Sequence, residues 1–257
     1  MTEKNIVRYF LFPAIALGAS LILATAIGAY TFFQIRNQNS VISVLGAAEK
    51  IVTSDTVKWT AKFKNSVSVD ELSDGMNMMK EESDVIRSYF SENEIDAKTY
   101  TISPVKFTES CRSSQDRVWS EGGEHCSAGT LVAYDLTQFI TLNSLEVEKI
   151  TDLAEAMPYD LIAQGIMFSS ENLEYFYSQL DSLKLEILAE ATKNAKLRAE
   201  QIAESTGASI GNVKEASVGV FQIVAPNSTE FENYGAYNSS TIEKKVTSTV
   251  RAAFLLK

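Results

Sequence analysis

From Tyr9 to Phe33 the chain runs for 25 consecutive residues without a charge, YFLFPAIALGASLILATAIGAYTFF. A helix rises about 1.5 Å per residue, so about 20 such residues cross a hydrocarbon core about 30 Å thick. The stretch is long enough to do so, and it splits the rest of the chain into a short N-terminal tip and a long body on opposite sides of a membrane. A cleaved signal peptide is the rival, with Ala24-Thr25-Ala26 as its small-residue site. Signal-peptide apolar regions run only about 7–15 residues, which favours an uncleaved anchor made of residues 1–36. Lys4, Arg8 and the N-terminal amine precede the span and Arg36 comes after it, which favours the N-terminus in the cytoplasm and the body outside. Membrane lipid is then the expected partner of residues 9–33.

With residues 1–36 set aside, Lys4, Arg8, Arg36 and Glu3 drop out, and the formal charge moves from -10 to -12. An acidic body of this kind argues against nucleic-acid binding, which needs cations to displace counterions from phosphates. It also argues that the body as a whole stands off anionic lipid. His125 is the single histidine. Multi-histidine metal sites are therefore excluded, as is any Ser-His or Cys-His pair that does not use His125. Composition leans away from an enzyme before any motif is considered.

Cys111 and Cys126 lie in the polar stretch ESCRSSQDRVWSEGGEHCSAG. In an oxidising compartment an isolated pair across a glycine-containing loop reads as one disulfide. Metal ligation by Cys111, His125 and Cys126 is an alternative, as are reactive thiols. Neighbours such as His125 and Cys126 rarely both face one ion, and no fourth ligand pattern is present.

Within residues 37–257, Val57, Trp59, Ala61 and Phe63 alternate with Lys58, Thr60, Lys62 and Lys64, the period of a half-buried strand. Ser68 with Glu71 has the spacing of a capping box, and Leu72, Met76, Met79, Ser83, Ile86 and Phe90 then recur at helical spacing. Tyr100 to Phe107 suggests a strand interrupted by Pro104. Val132, Tyr134, Leu136, Ile140 and Leu142 share a face of a longer one. A connecting helix starts near Leu145 and is expected to break at Pro158. The order then repeats: a strand near 166–177, a helix near 182–205 opened by Asp181 and stopped by Gly207, and strands near 213–224 and 246–256. This predicts an α+β body of two βαββ units joined by a helix, with sub-units at about 41–144 and 145–257. The helix carries Ala189, Ala191, Ala195, Ala199 and Ala203, which suit close packing on its own sheet or against a neighbouring subunit.

Few motifs point to chemistry. Gly207-Ala208-Ser209-Ile210-Gly211 matches the string G-x-S-x-G, but a nucleophile elbow needs a strand before the serine and a helix after it, and here the order is reversed. Acidic clusters at Glu81-Glu82-Asp84, Glu92-Glu94-Asp96 and Glu230-Glu232 lack the spacing of a calcium loop and read as solvated faces. No catalytic residue, metal ligand or cofactor is expected.

One stretch, EATKNAKLRAEQIAESTGASIGNV, resembles the signature of the SIMPL-domain family of bacterial envelope proteins. The matching residues are Ala191, Ala195, Arg198, Ala199, Ile202, Ala203, Gly207, Gly211 and Val213. The resemblance extends to Gly46, to Asp55 and to FSENEIDAKTYTISPVKF, and covers the body from about Val41. It implies a periplasmic or membrane-anchored protein, assembly into rings in at least some members, an association of some members with oxidative stress, and no established enzymatic activity.

The leading expectation is therefore a single-pass envelope scaffold whose body self-assembles as a homo-oligomer, ring-like or channel-like. Ala14 with Gly18 and Ala24 with Gly28 offer a weak small-residue signal for helix pairing in the membrane. A binding module acting through its two long loops, with Tyr234 and Tyr237 as contact or packing residues, is the alternative. A hydrolase using Ser209 or His125 stands third.

Overall fold

The computed structural model describes residues 3–37, 40–120, 123–229 and 231–257, with the side chains of the first helix described over 13–33. The side chains of Lys4, Arg8 and Arg36, on which the expected orientation rests, fall outside the described residues, as does Glu230 of the last acidic cluster. Helix α1 (Glu3–Asn37) contains Pro13–Phe33, 21 residues of mean hydropathy 1.8 with none of the stretch buried. By length and composition it can cross a membrane or serve as a signal sequence.

The body is mixed α+β. In chain order it comprises β1 (Val41–Thr53), β2 (Thr56–Ser68), α2 (Leu72–Glu92), β3 (Tyr100–Ile102), β4 (Lys106–Cys111), β5 (Arg117–Ser120), β6 (Gly123–Cys126) and β7 (Leu131–Ser144). Next come α3 (Val147–Ala163), β8 (Phe168–Phe176), α4 (Leu180–Ser205), β9 (Ile210–Val218), β10 (Gln222–Val224) and β11 (Glu243–Leu256). Two compact units emerge, each discontinuous in sequence. One comprises Met1–Glu49, Lys184–Phe221 and Thr247–Lys257; the other comprises Lys50–Leu183 and Gln222–Val246. The expected limits at 41–144 and 145–257 were sequential, whereas sheet pairing joins β8 directly to β2.

The larger unit is built on the antiparallel order β3-β7-β2-β8, with β4 also on β7. The expected alternation of β2 holds: Val57, Trp59, Ala61 and Phe63 are fully buried. Trp59 stands opposite Leu142 and Ala61 opposite Ile140. Helix α2 adds Met79, Ile86 and Phe90, and α3 adds Ile150, Met157 and Leu161. The Trp59 ring meets Phe90 edge-on at 6.2 Å, and its Nε1 donates to Ser170 Oγ at 2.8 Å, so the indole is buried without an unmet donor. Gln138 occupies the same buried face of β7. Ser83 Oγ donates to its Oε1 at 2.9 Å and its Nε2 donates to Ser103 O at 2.7 Å, which is how an amide sits in this core.

The smaller unit places α4 on a sheet in which β11 pairs with β1 and, antiparallel, with β9. Its core is small: Val44, Ala195, Ala199, Ala252 and Phe254, with Ile42 and Ile210 at the margin.

Several expectations need correction. Helix α3 runs through Pro158 to Ala163 instead of breaking. Proline removes one hydrogen bond, but Ala154, Met157 and Leu161 around it are buried, and their packing holds the helix. The strand expected at 213–224 is two strands, β9 and β10, parted after Val218. Strand β1 carries no clean alternation of large apolar and polar residues, and no strand is expected there from the sequence pattern. Ser68 hydrogen-bonds the Glu71 carboxylate side chain and leaves the backbone amides uncapped, because a short 3-10 turn intervenes before α2. The polar cysteine stretch folds into a hairpin of its own, β5 on β6.

Candidate functional site

The residues that carry the resemblance fall in the smaller unit, where the alanines set how closely a helix approaches a strand. Ala191, Ala195 and Ala199 are fully buried and Ala203 is nearly so. Gly46 of β1 faces them. A Cβ placed on Gly46 would lie 2.2 Å from Ala191 O and 2.4 Å from Ala195 N, so the strand rests on the backbone of α4 itself. Only glycine fits there. Gly207 has φ +73°, the left-handed conformation that ends a helix at little steric cost for glycine alone. Gly211 sits under Leu255 and Lys257 at the start of β9. Of the two uses open to the alanine face, packing on its own sheet is the one adopted.

Arg198 leaves that face for the edge of β1. Its Nη1 donates to Leu45 O at 2.9 Å, and Ala47 N donates to Asn194 Oδ1 at 3.3 Å. A strand's carbonyl at one residue and amide two residues on point the same way and are the pair a neighbouring strand would take. Two side chains of α4 thus stand where another strand would pair, a common protection of a sheet edge. Next to them lies a groove of about 510 Å³ lined by Ser43, Val44, Leu45, Arg198, Gln201 and Ile202, with Ser205 and Thr206 at its end. Ile202 is half exposed in it, and Val213 is exposed on β9.

In the larger unit, Asp55 closes the turn between β1 and β2. Its Oδ1 accepts from Ser178 N at 2.8 Å and from Thr56 Oγ1 at 3.1 Å, and its Oδ2 accepts from Ser178 Oγ at 2.6 Å. Burial alone would raise the carboxyl pKa, but these hydrogen bonds together outweigh it and hold the group below its ordinary value. Beside it a shallow cleft of about 460 Å³ runs along Thr53–Asp55, Leu145–Lys149 and Ile242. The Ser54 hydroxyl is buried there without a hydrogen-bond partner.

Cys111 and Cys126 form the expected disulfide, Cα to Cα 5.5 Å. Cys126 N also donates to Glu109 Oε2 at 2.7 Å, so covalent and charged contacts together fasten the β5–β6 hairpin to β4. Trp119 on that hairpin is 81% exposed. His125 Nδ1 lies 3.2 Å from Gly123 O and 3.4 Å from Ser120 Oγ, all within the same hairpin. Ser209 lies after α4 and before β9, the reverse of an elbow, and its backbone exchanges two hydrogen bonds with Lys257. Among the described residues no group of three or more His, Cys, Asp or Glu could hold a metal.

The loop between β10 and β11 hangs on two buried polar side chains that sequence reasoning did not single out. Gln222 Oε1 accepts from Ala236 N at 3.0 Å and its Nε2 donates to Glu232 O at 2.7 Å. Lys244 Nζ donates to Asn238 O at 2.7 Å and Thr241 O at 2.8 Å, and lies 6.0 Å from the Tyr237 ring centroid. Burial pushes its amine down to about 8. A lysine between Glu243 and Lys245 looks solvated, although Lys244 falls on the same period-two face as Val246, Val250, Ala252 and Phe254. Tyr237 stacks on Phe176 at 6.2 Å, while Tyr234 is 98% exposed, so the two tyrosines divide between packing and availability.

A family model matches residues 42–254, described as SIMPL, protein of unknown function (DUF541). No curated protein matches the chain.

Proposed function

We propose, because the chain belongs to the SIMPL family, that it is a non-enzymatic, membrane-anchored envelope protein. On this reading α1 stays uncleaved in a bacterial inner membrane, the N-terminus is cytoplasmic, and the body stands outside and self-assembles into a ring-like or channel-like oligomer. A role under envelope or oxidative stress belongs to the same proposal.

The observation that carries it is the pairing of an unburied 21-residue apolar helix with a run of alanines on α4 that is buried against the body's own sheet. Buried alanines cannot also serve as a subunit contact. Assembly must therefore use other surface, and α4 offers exposed Leu185 and Leu197. The test is the mass of the detergent-solubilised full chain over a wide concentration range. A concentration-dependent or fixed oligomer is expected, and a strict monomer throughout overturns the assembly.

A second reading, a binding module working through its loops, draws on exposed Trp119 and Tyr234. Large aromatic side chains on ordered loops make effective binding anchors. Replacing both with alanine should then abolish partner capture while leaving oligomer mass unchanged.

A further inference from the structure

The groove between the start of β1 and the C-terminal half of α4 combines three properties. The first is an uncompensated cation at its wall. Arg198 spends one N–H on Leu45 O, and among the described residues no carboxylate lies within ion-pair distance of it. Glu200, the nearest acid along the helix, pairs with Lys196 at 3.7 Å. No carboxylate among those residues lines the groove. The second property is apolar surface beside that cation: Leu45 and Ile202 are each 48% exposed, and Leu197 close by is 54% exposed.

The third is reach, and it rests on the anchor reading of α1. Helix α1 continues four residues past Phe33 to Asn37, a rise of about 6 Å. Strand β1 begins at Val41, and four residue steps span at most about 14 Å. The start of β1 is therefore held within about 20 Å of the end of the apolar stretch, and the headgroup layer occupies the first 5–8 Å or so of that distance. The groove begins two residues further on, at Ser43. The same end of the unit gathers Ser40, whose carbonyl accepts from Leu256 N at 2.9 Å, and the Ser209–Lys257 pair.

We propose that this groove seats a phospholipid of the bilayer that anchors the chain, with the lipid phosphate on the Arg198 guanidinium and the first acyl carbons against Leu45 and Ile202. The unused N–H donors of Arg198 match phosphate oxygens, and a planar guanidinium can hold two of them at once. Net negative charge keeps the body as a whole off the membrane, while this one end is chemically suited to touch it. The contact would fix the orientation of the smaller unit relative to the bilayer.

The test uses the full chain in nanodiscs of phosphatidylcholine and phosphatidylglycerol. No cysteine is free, so Ile202→Cys supplies a single thiol for an environment-sensitive fluorophore. Leu185→Cys, about 25 Å back along the same helix, is the reference. Phosphatidylcholine carrying a nitroxide high on its acyl chain is the quencher. Quenching at 202 but not at 185 is expected. Arg198→Gln should lower the docked-to-undocked ratio about fivefold, the equivalent of one basic side chain at an anionic surface. Arg198→Lys should retain most of the contact, and an unchanged circular dichroism spectrum excludes unfolding as the cause of any loss. Equal quenching at both positions, or no effect of Arg198→Gln, overturns the proposal. So does shielding of position 202 that depends on the number of chains per disc, because the occupant is then protein. Chain that fails to co-elute with the discs refutes the anchor instead, and is told apart by that readout.

Discussion

The two units solve the same problem, a helix on an antiparallel sheet, with opposite materials. The larger one fills its interior with volume: Trp59, Phe63, Phe90, Met79 and a set of leucines and isoleucines, all fully buried. The smaller one removes volume, bringing Gly46 directly onto the backbone of Ala191 and Ala195. Side-chain packing tolerates reshuffling if volume is kept, whereas backbone contact tolerates no added atom. The alanines that carry the resemblance to the SIMPL signature fall on the second kind.

Trp59→Ala probes the volume-filled side and should cost about 3–5 kcal/mol in chemical denaturation, through the cavity and the stranded Ser170 hydroxyl. Amide exchange should quicken in β2 and β7, and an unchanged β9 would show that the units open separately. A pH series tests the buried cation of the same unit. Unfolded, Lys244 keeps its proton up to about 10.5; folded, it releases it at about 8. Between those values the unfolded chain binds more protons, so stability should rise with pH, by up to about 1.4 kcal/mol per pH unit. Lys244→Met should flatten that rise, and a slope unaffected by the substitution would contradict the assignment.

Gly46→Ala tests the backbone-packed side. One methyl there should cost about 1–3 kcal/mol, the usual range for overpacking, although it adds apolar surface. A neutral result would mean the strand and helix have room to part. The smallest effect is expected at Asp55. Its carboxyl is held low by Ser178 and Thr56, so its contribution is present above the ordinary carboxylate range and fades as pH falls through the folded value. Asp55→Asn should remove that acid-side dependence, with a small loss of stability at neutral pH that vanishes in acid, as thermal melts at matched pH would reveal.

Legibility in the sequence followed the same divide. Volume-based packing announces itself through periodicity, so β2 and α2 could be placed from Val57–Phe63 and Leu72–Phe90. Backbone-based packing has no such period: β1, written VISVLGAAEKIVT, hides its inward face behind Gly46 and Ala48. Its partner residues on α4 were visible through the family resemblance, yet whether the alanines faced a sheet or a subunit needed coordinates. Pro158 misled because local propensity was weighed without the burial of Met157 and Leu161. Gln138 escaped notice because its partners, Ser83 and Ser103, are distant in sequence, and Lys244 because its carbonyl partners, Asn238 and Thr241, belong to an irregular loop. The disulfide was readable because compartment and pairing arithmetic do not depend on tertiary detail.

Strands β1 and β11 are hydrogen-bonded neighbours, although most residues of the body lie between them in sequence. During synthesis the sheet of the smaller unit cannot close until Leu256 reaches Ser40. Almost every other residue must be made and folded in the interval, and contacts this distant in sequence form slowly. Completion of the smaller unit therefore reports that every residue from β1 through β11 has been delivered. A chain stopped before β11 would leave Gly46 and its helix with an unfinished sheet, exposed to quality control.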